Sequence, residues 1–130
     1  MKSLLLVLTV ITGMGFSNAV RGGTANVGFA SWYGEEHRGR LMANGKRFNP
    51  DQLTAASWHY PLGSKVRVTR QSRNKQLRTV IVRITDRGPS MDLVRDGRII
   101  DLTHAAFARL GQPRVGLVPV KVEPLPQEGH

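Results

Sequence analysis

Between Val27 and Val122 the apolar and polar residues alternate in short runs, with the two-residue period of strands. Lys65-Val66-Arg67-Val68-Thr69 alternates strictly, and Thr79-Val80-Ile81-Val82-Arg83-Ile84-Thr85 is the strongest run. Val27-Gly28-Phe29-Ala30-Ser31-Trp32-Tyr33 opens the series, and Gly116-Leu117-Val118-Pro119-Val120-Lys121-Val122 closes it. Pro119 cannot donate to a ladder, which predicts an edge strand or a neighbouring bulge. Ser72-Arg73-Asn74-Lys75 reads as a hairpin connection that makes 65–69 and 77–85 antiparallel neighbours. One segment has the period and punctuation of a helix: Thr103 as cap, His104 to Leu110 as body, then Gly111 with Pro113 just beyond. Many short strands and one small helix predict an all-β fold, a closed or nearly closed barrel.

The first residues have a different character. Lys2, the mostly apolar run from Leu4 to Phe16, and Ser17-Asn18-Ala19 read as a secretory signal cleaved after Ala19. The apolar run is shorter than the roughly 20 residues a membrane span needs and is interrupted by Gly13 and Gly15. The expected layout is a signal over 1–19, a flexible lead-in over 20–26, a barrel domain over 27–123 and an irregular tail over 124–130. The mature chain is expected to be soluble, periplasmic or secreted, without transmembrane or lipid anchor. With no cysteine, it has no disulfide and no thiolate ligand.

Lys and Arg number 19 against 9 Asp and Glu, a formal net charge of +10. A field of that sign attracts polyanions, and after export the acidic polymers of a cell envelope are better candidates than nucleic acid. The arginines are scattered along the strands, as on a solvated face.

Candidate chemistry is sparse. Asp86-Arg87-Gly88-Pro89 follows the strongest strand, so Asp86 stands where the chain leaves the sheet. Such an aspartate commonly accepts bonds from turn N–H groups, whereas a catalytic role requires partial burial so that it can hold and donate a proton. Ser31-Trp32-Tyr33-Gly34 and Trp58-His59-Tyr60-Pro61 cluster four aromatic rings, which suit either a core or a sugar groove; Phe29 and Phe48 are expected in the core. His37, His59, His104 and His130 are too dispersed for a metal site, and neither a phosphate loop nor a nucleophile elbow occurs. No metal or cofactor is expected.

The ordered motifs Gly28-Phe-Ala-Ser-Trp-Tyr-Gly34, Met42-Ala-Asn-Gly-Lys-Arg-Phe48, Leu53-Thr-Ala-Ala56, Tyr60-Pro-Leu-Gly63, Val82-Arg-Ile-Thr-Asp-Arg-Gly-Pro89 and Arg98-Ile-Ile-Asp-Leu-Thr-His-Ala-Ala106 resemble the rare lipoprotein A (RlpA-like) family. The resemblance implies a six-stranded double-psi β-barrel, related to expansin and endoglucanase-like barrels. It also implies a lytic transglycosylase acting on peptidoglycan glycan strands, with Asp86 as general acid/base and Trp32, Tyr33, Asn44, Lys46, Ser57, Trp58 and Arg87 along the groove. The chain departs from the family pattern at Lys46, where an acidic residue is common, and at Ser57, where a histidine is common. Either Asp86 works with another group such as Glu35 or Glu36, or the groove binds wall glycan without cutting it, as an expansin-like module.

Overall fold

Each alternating run forms a strand by turning one face to a shared interior and the other to water. The computed structural model describes residues 24–73 and 77–126; the expected signal, most of the lead-in, the hairpin tip at 74–76 and residues 127–130 lie outside the described residues. The strands are β1 (Asn26–Tyr33), β2 (Thr54–Ala56), β3 (Lys65–Arg70), β4 (Arg78–Asp86), β5 (Arg98–Thr103) and β6 (Val118–Pro124). On β4, Val80, Val82 and Ile84 are buried while Arg78, Ile81 and Arg83 are exposed. Val66 and Val68 from β3 and Val118, Val120 and Val122 from β6 complete the same interior, with Phe107 and Leu110 packed into it. Each such aliphatic side chain removed from water contributes about 1.5–3 kcal/mol.

The strands close in the order β1-β5-β2-β4-β3-β6. The pairs β1/β5 and β2/β4 are parallel and the other four pairs antiparallel, a mixed six-stranded barrel of the expected class. The predicted β3–β4 pairing is present, with Val66 opposite Val82 and Val68 opposite Val80.

One sequence expectation resolves to its second alternative, the neighbouring bulge, and another needs correction. Pro119 is not on an edge, because β6 bonds to both β1 and β3; it lies opposite Phe29, where the register of β1 against β5 shifts. Its carbonyl still accepts the Gln71 N–H at 2.9 Å, so only the missing donor has to be tolerated at that irregularity. Phe29 itself is 41% exposed rather than in the core. Alternation puts Ala30 inside and Phe29 outside, whereas Phe48 is buried as expected.

Gly28 lets β5 approach β1: a Cβ there would stand 2.6 Å from the Gly97 carbonyl oxygen. The Phe29 N–H donates to that same carbonyl at 2.8 Å. The predicted helix is present as α2 (His104–Ala108), following α1 (Met91–Arg95), which the sequence pattern did not reveal because none of its residues is buried. Thr103 caps α2, its hydroxyl accepting from the Ala106 N–H at 3.2 Å and donating to the Gln52 carbonyl at 2.6 Å. A cap of this kind is worth about 1 kcal/mol. Among the described residues no helix is long and apolar enough to cross a membrane.

Candidate active site

Asp86 is the last residue of β4 and is half-buried. Its Oδ1 accepts the N–H of Ala43 at 2.9 Å and that of Arg87 at 2.8 Å, and its carbonyl accepts the Ser57 N–H at 3.0 Å. The backbone of three segments thus holds the residue, and Oδ2 has no hydrogen bond among the described residues. Beside it opens a cleft of about 490 Å³, whose walls include Tyr33, His37, Arg40, Phe48, Arg87 and a second carboxyl group, Asp101.

Asp101 projects from β5 opposite Ser31 of β1, and the Ser31 hydroxyl donates to its Oδ1 at 2.8 Å. Burial pushes this carboxyl above the usual aspartate range, against opposing pulls from the Ser31 hydrogen bond and from Arg98 and His37. Tyr33 lies one strand position beyond Trp32, stacked on Phe48 with ring centroids 4.4 Å apart. Its hydroxyl is buried and has no hydrogen-bond partner among the described residues. Burial, then the charges of Asp86 and Asp101, push its ionisation up, so it stays a neutral donor. A sheltered phenol without a partner, in the field of two carboxyl groups, is an open binding position for a ligand oxygen.

The other sequence candidates divide. Arg87 lines the cleft but acts as a clamp, Nη1 donating at 2.7 Å to both the Ser57 and the Tyr60 carbonyls. Trp58 is 48% exposed beside the Gly88-Pro89 turn, with Nε1 donating to the Pro89 carbonyl at 2.6 Å. Ser57 is fully buried, and its Oγ accepts the His59 N–H at 3.0 Å, so its hydroxyl is inside a turn rather than along the groove. Trp32 points the other way from Tyr33: Nε1 donates to the Pro113 carbonyl at 2.7 Å, and the ring packs against His104 and Phe107. Asn44 and Lys46 line a neighbouring cleft across the ridge of Met42 and Phe48.

Glu35 and Glu36 are exposed and lie outside the walls of the Asp86 cleft; Glu35 pairs with Arg38 instead. The carboxyl that joins Asp86 is Asp101, which sequence reasoning passed over. Its signal was an acid flanked by Ile99, Ile100 and Leu102, where a strand facing only core would carry another apolar residue. Among the described residues no group of three or more His, Asp or Glu is gathered as a metal site.

Residues 25–122 match the family model described as lytic transglycolase, which carries the double-psi barrel. The chain belongs to this family. Within it the chain is RlpA-like: it is 46% identical over 100 residues to a probable endolytic peptidoglycan transglycosylase RlpA of Nostoc sp., covering 75% of this chain and 25% of that protein. It is 39% identical over 101 residues to the endolytic peptidoglycan transglycosylase RlpA of Vibrio cholerae, covering 78% of this chain and 36% of that one. The counterpart of Pseudomonas aeruginosa is 44% identical over 97 residues, covering 75% and 26%. The chain therefore spans only 25% to 36% of the length of these relatives. Among solved structures, the Streptomyces papain inhibitor superposes with a TM-score of 0.58 at 25% identity, covering 80% of this chain and 96% of that one. A Clavibacter michiganensis expansin gives 0.58 at 21% identity over 82% of this chain and 53% of its own, a likeness of fold.

Proposed function

We propose that this chain is an exported lytic transglycosylase that cuts the glycan strands of peptidoglycan between N-acetylmuramic acid and N-acetylglucosamine. The observation that carries the reading is the meeting of Asp86, Asp101 and the partnerless Tyr33 hydroxyl around one cleft at the strand ends. The names of the RlpA relatives point to the same substrate.

In this mechanism the Asp86 carboxyl protonates the glycosidic oxygen as the bond to the muramoyl anomeric carbon breaks. The 6-hydroxyl of the same muramoyl residue attacks that carbon and gives its proton to Asp86, which restores the acid and leaves a 1,6-anhydro end. One carboxyl group serves both steps and no water is consumed. Oδ2, not occupied by the backbone, is the oxygen available for this transfer. Tyr33 and Asp101 hold sugar hydroxyls, Asp101 as a donor for as long as it keeps its proton.

A non-catalytic wall-binding module is the second reading, favoured by the placement of the two departures from the family pattern. Ser57 is sealed inside a turn and Lys46 lines the neighbouring cleft, so neither brings a titrating group to Asp86. Incubating the wild type and Asp86→Asn with purified peptidoglycan, with and without stem peptides, and analysing soluble products by mass spectrometry separates the two. The asparagine can still accept the Ala43 and Arg87 N–H bonds, so the barrel is retained. Anhydro-ended fragments released by the wild type and reduced about 100-fold or more in the variant support the enzyme. Binding without such products from either protein supports the module.

A further inference from the structure

Next to the acidic cleft lies a second one of about 680 Å³, sharing the Met42–Phe48 ridge with it, and among the described residues its walls contain no carboxyl group. Lys46, Arg47 and Arg83 face it, and none of the three pairs with an acid among the described residues. Arg83 is held by an Nη1 bond to the Gly63 carbonyl at 2.7 Å, and Arg47 by one to the Gly39 carbonyl at 3.2 Å, so each guanidinium is positioned while keeping other donors unused. Arg38, also on this wall, is already matched by Glu35 and Asp51.

An independent observation points the same way. Thr85 is 5% exposed, lines this cleft, and its hydroxyl has no hydrogen-bond partner among the described residues. A buried hydroxyl without a partner beside three uncompensated cations is a donor set without an acceptor. Lys46 itself is placed by a turn: Asn44 Oδ1 accepts the Lys46 N–H at 3.0 Å, Gly45 takes φ +86, and the Asn44 N–H donates to the Thr85 carbonyl at 3.2 Å.

We propose that this cleft is an anion subsite for a carboxylate carried by the glycan strand, adjacent to the site of cleavage. The inference rests on the assignment of the Asp86 cleft to wall glycan. Muramoyl residues carry such a group in either of two forms: the free lactyl carboxylate of a peptide-free strand, or the carboxylates of a stem peptide attached there. A strand crossing the ridge would place its sugar beside Asp86 and its negative group beside Lys46 and Arg47. On this account Lys46, where an acidic residue is common in the family pattern, serves substrate selection.

The test uses the Asp86→Asn protein, so that strands are bound and not consumed, and measures affinity by calorimetric titration. The probes are peptide-free strands, the same strands with their lactyl carboxylates converted to neutral methylamides, and peptide-bearing strands. Either charged probe binding at least about ten-fold more tightly than the neutral one supports the subsite, provided that Lys46→Ala/Arg47→Ala in the same background removes the difference; the charged probe that gains identifies the carboxylate. Equal affinity for all three, or a difference that survives the double substitution, overturns the subsite and leaves the glycan cleft standing. Failure of every probe to bind overturns both.

Discussion

Ser31 of β1 and Asp101 of β5 face each other across a parallel strand pair, and the serine hydroxyl donates to Asp101 Oδ1 at 2.8 Å. That bond steadies a carboxyl group whose burial raises its pKa. A raised folded-state pKa means that the proton is held more tightly in the native state than in the unfolded one. The stabilisation is complete below the unfolded-state pKa and is lost as pH climbs through the folded-state value. Asp101→Asn, which still accepts from Ser31, is therefore expected to melt a few degrees higher than the wild type near pH 7. The advantage should vanish at the acid end of the range. Thermal melts of both proteins from acid to neutral pH check the sign.

Tyr33→Phe removes a buried hydroxyl that has no partner among the described residues while keeping the ring stacked on Phe48. An unsatisfied buried polar atom costs about 1–3 kcal/mol, so the variant should be at least as stable as the wild type. If the hydroxyl holds a sugar oxygen, glycan affinity or product release drops about ten-fold. Stability rising while function falls is the diagnostic pair, and a stable variant with unchanged function would remove Tyr33 from the site.

Arg87 ties the Ser57 and Tyr60 carbonyls to the turn after Asp86 through one nitrogen. Arg87→Ala leaves both carbonyls unmatched next to buried residues, and denaturant unfolding should show a loss of about 2–3 kcal/mol. Arg87→Lys should recover only part, because the lysine ammonium, which could donate to both carbonyls, stops one bond short of the place that Nη1 occupies.

Gly28→Ala should be among the most damaging small substitutions in the barrel. The new methyl would meet the Gly97 carbonyl oxygen at 2.6 Å and Ile99 Cγ2 at 2.8 Å, and the carbonyl is backbone that cannot rotate away. We expect about 1–3 kcal/mol of destabilisation by overpacking. Because β1 and β5 also carry Ser31 and Asp101, hydrogen exchange should show the β1–β5 amides losing protection first.

The barrel was largely legible because its interior is written in period two: Val66 and Val68, then Val80, Val82 and Ile84, then Val118, Val120 and Val122. β5 was less visible, since Ile99 and Ile100 are buried side by side and Leu102 and Thr103 again, a pattern without the two-residue period. β2, at three residues, is too short to show one. At the site, Asp86 was visible as a charged residue ending a strong strand. Asp101 was not, because its meaning depends on Ser31, 70 residues away, across a parallel pair that local sequence does not announce. Trp32 and Tyr33 are neighbours in sequence and face opposite sides of β1, a distinction that an aromatic cluster read as a unit conceals. Glu35 carries the right functional group, but the Glu35–His37 turn leaves it exposed, paired with Arg38.

Strands β1 and β6 run antiparallel with Asn26 opposite Val122, so the described chain enters and leaves the barrel at one rim. Asp86 of β4, Ala56 of β2, Asp101 of β5 and Ser31 of β1 are paired in turn across four adjacent strands. The two carboxyl groups therefore meet only once strands from both halves of the barrel lie side by side, and a fragment holding one half would carry its share of the residues without the cleft.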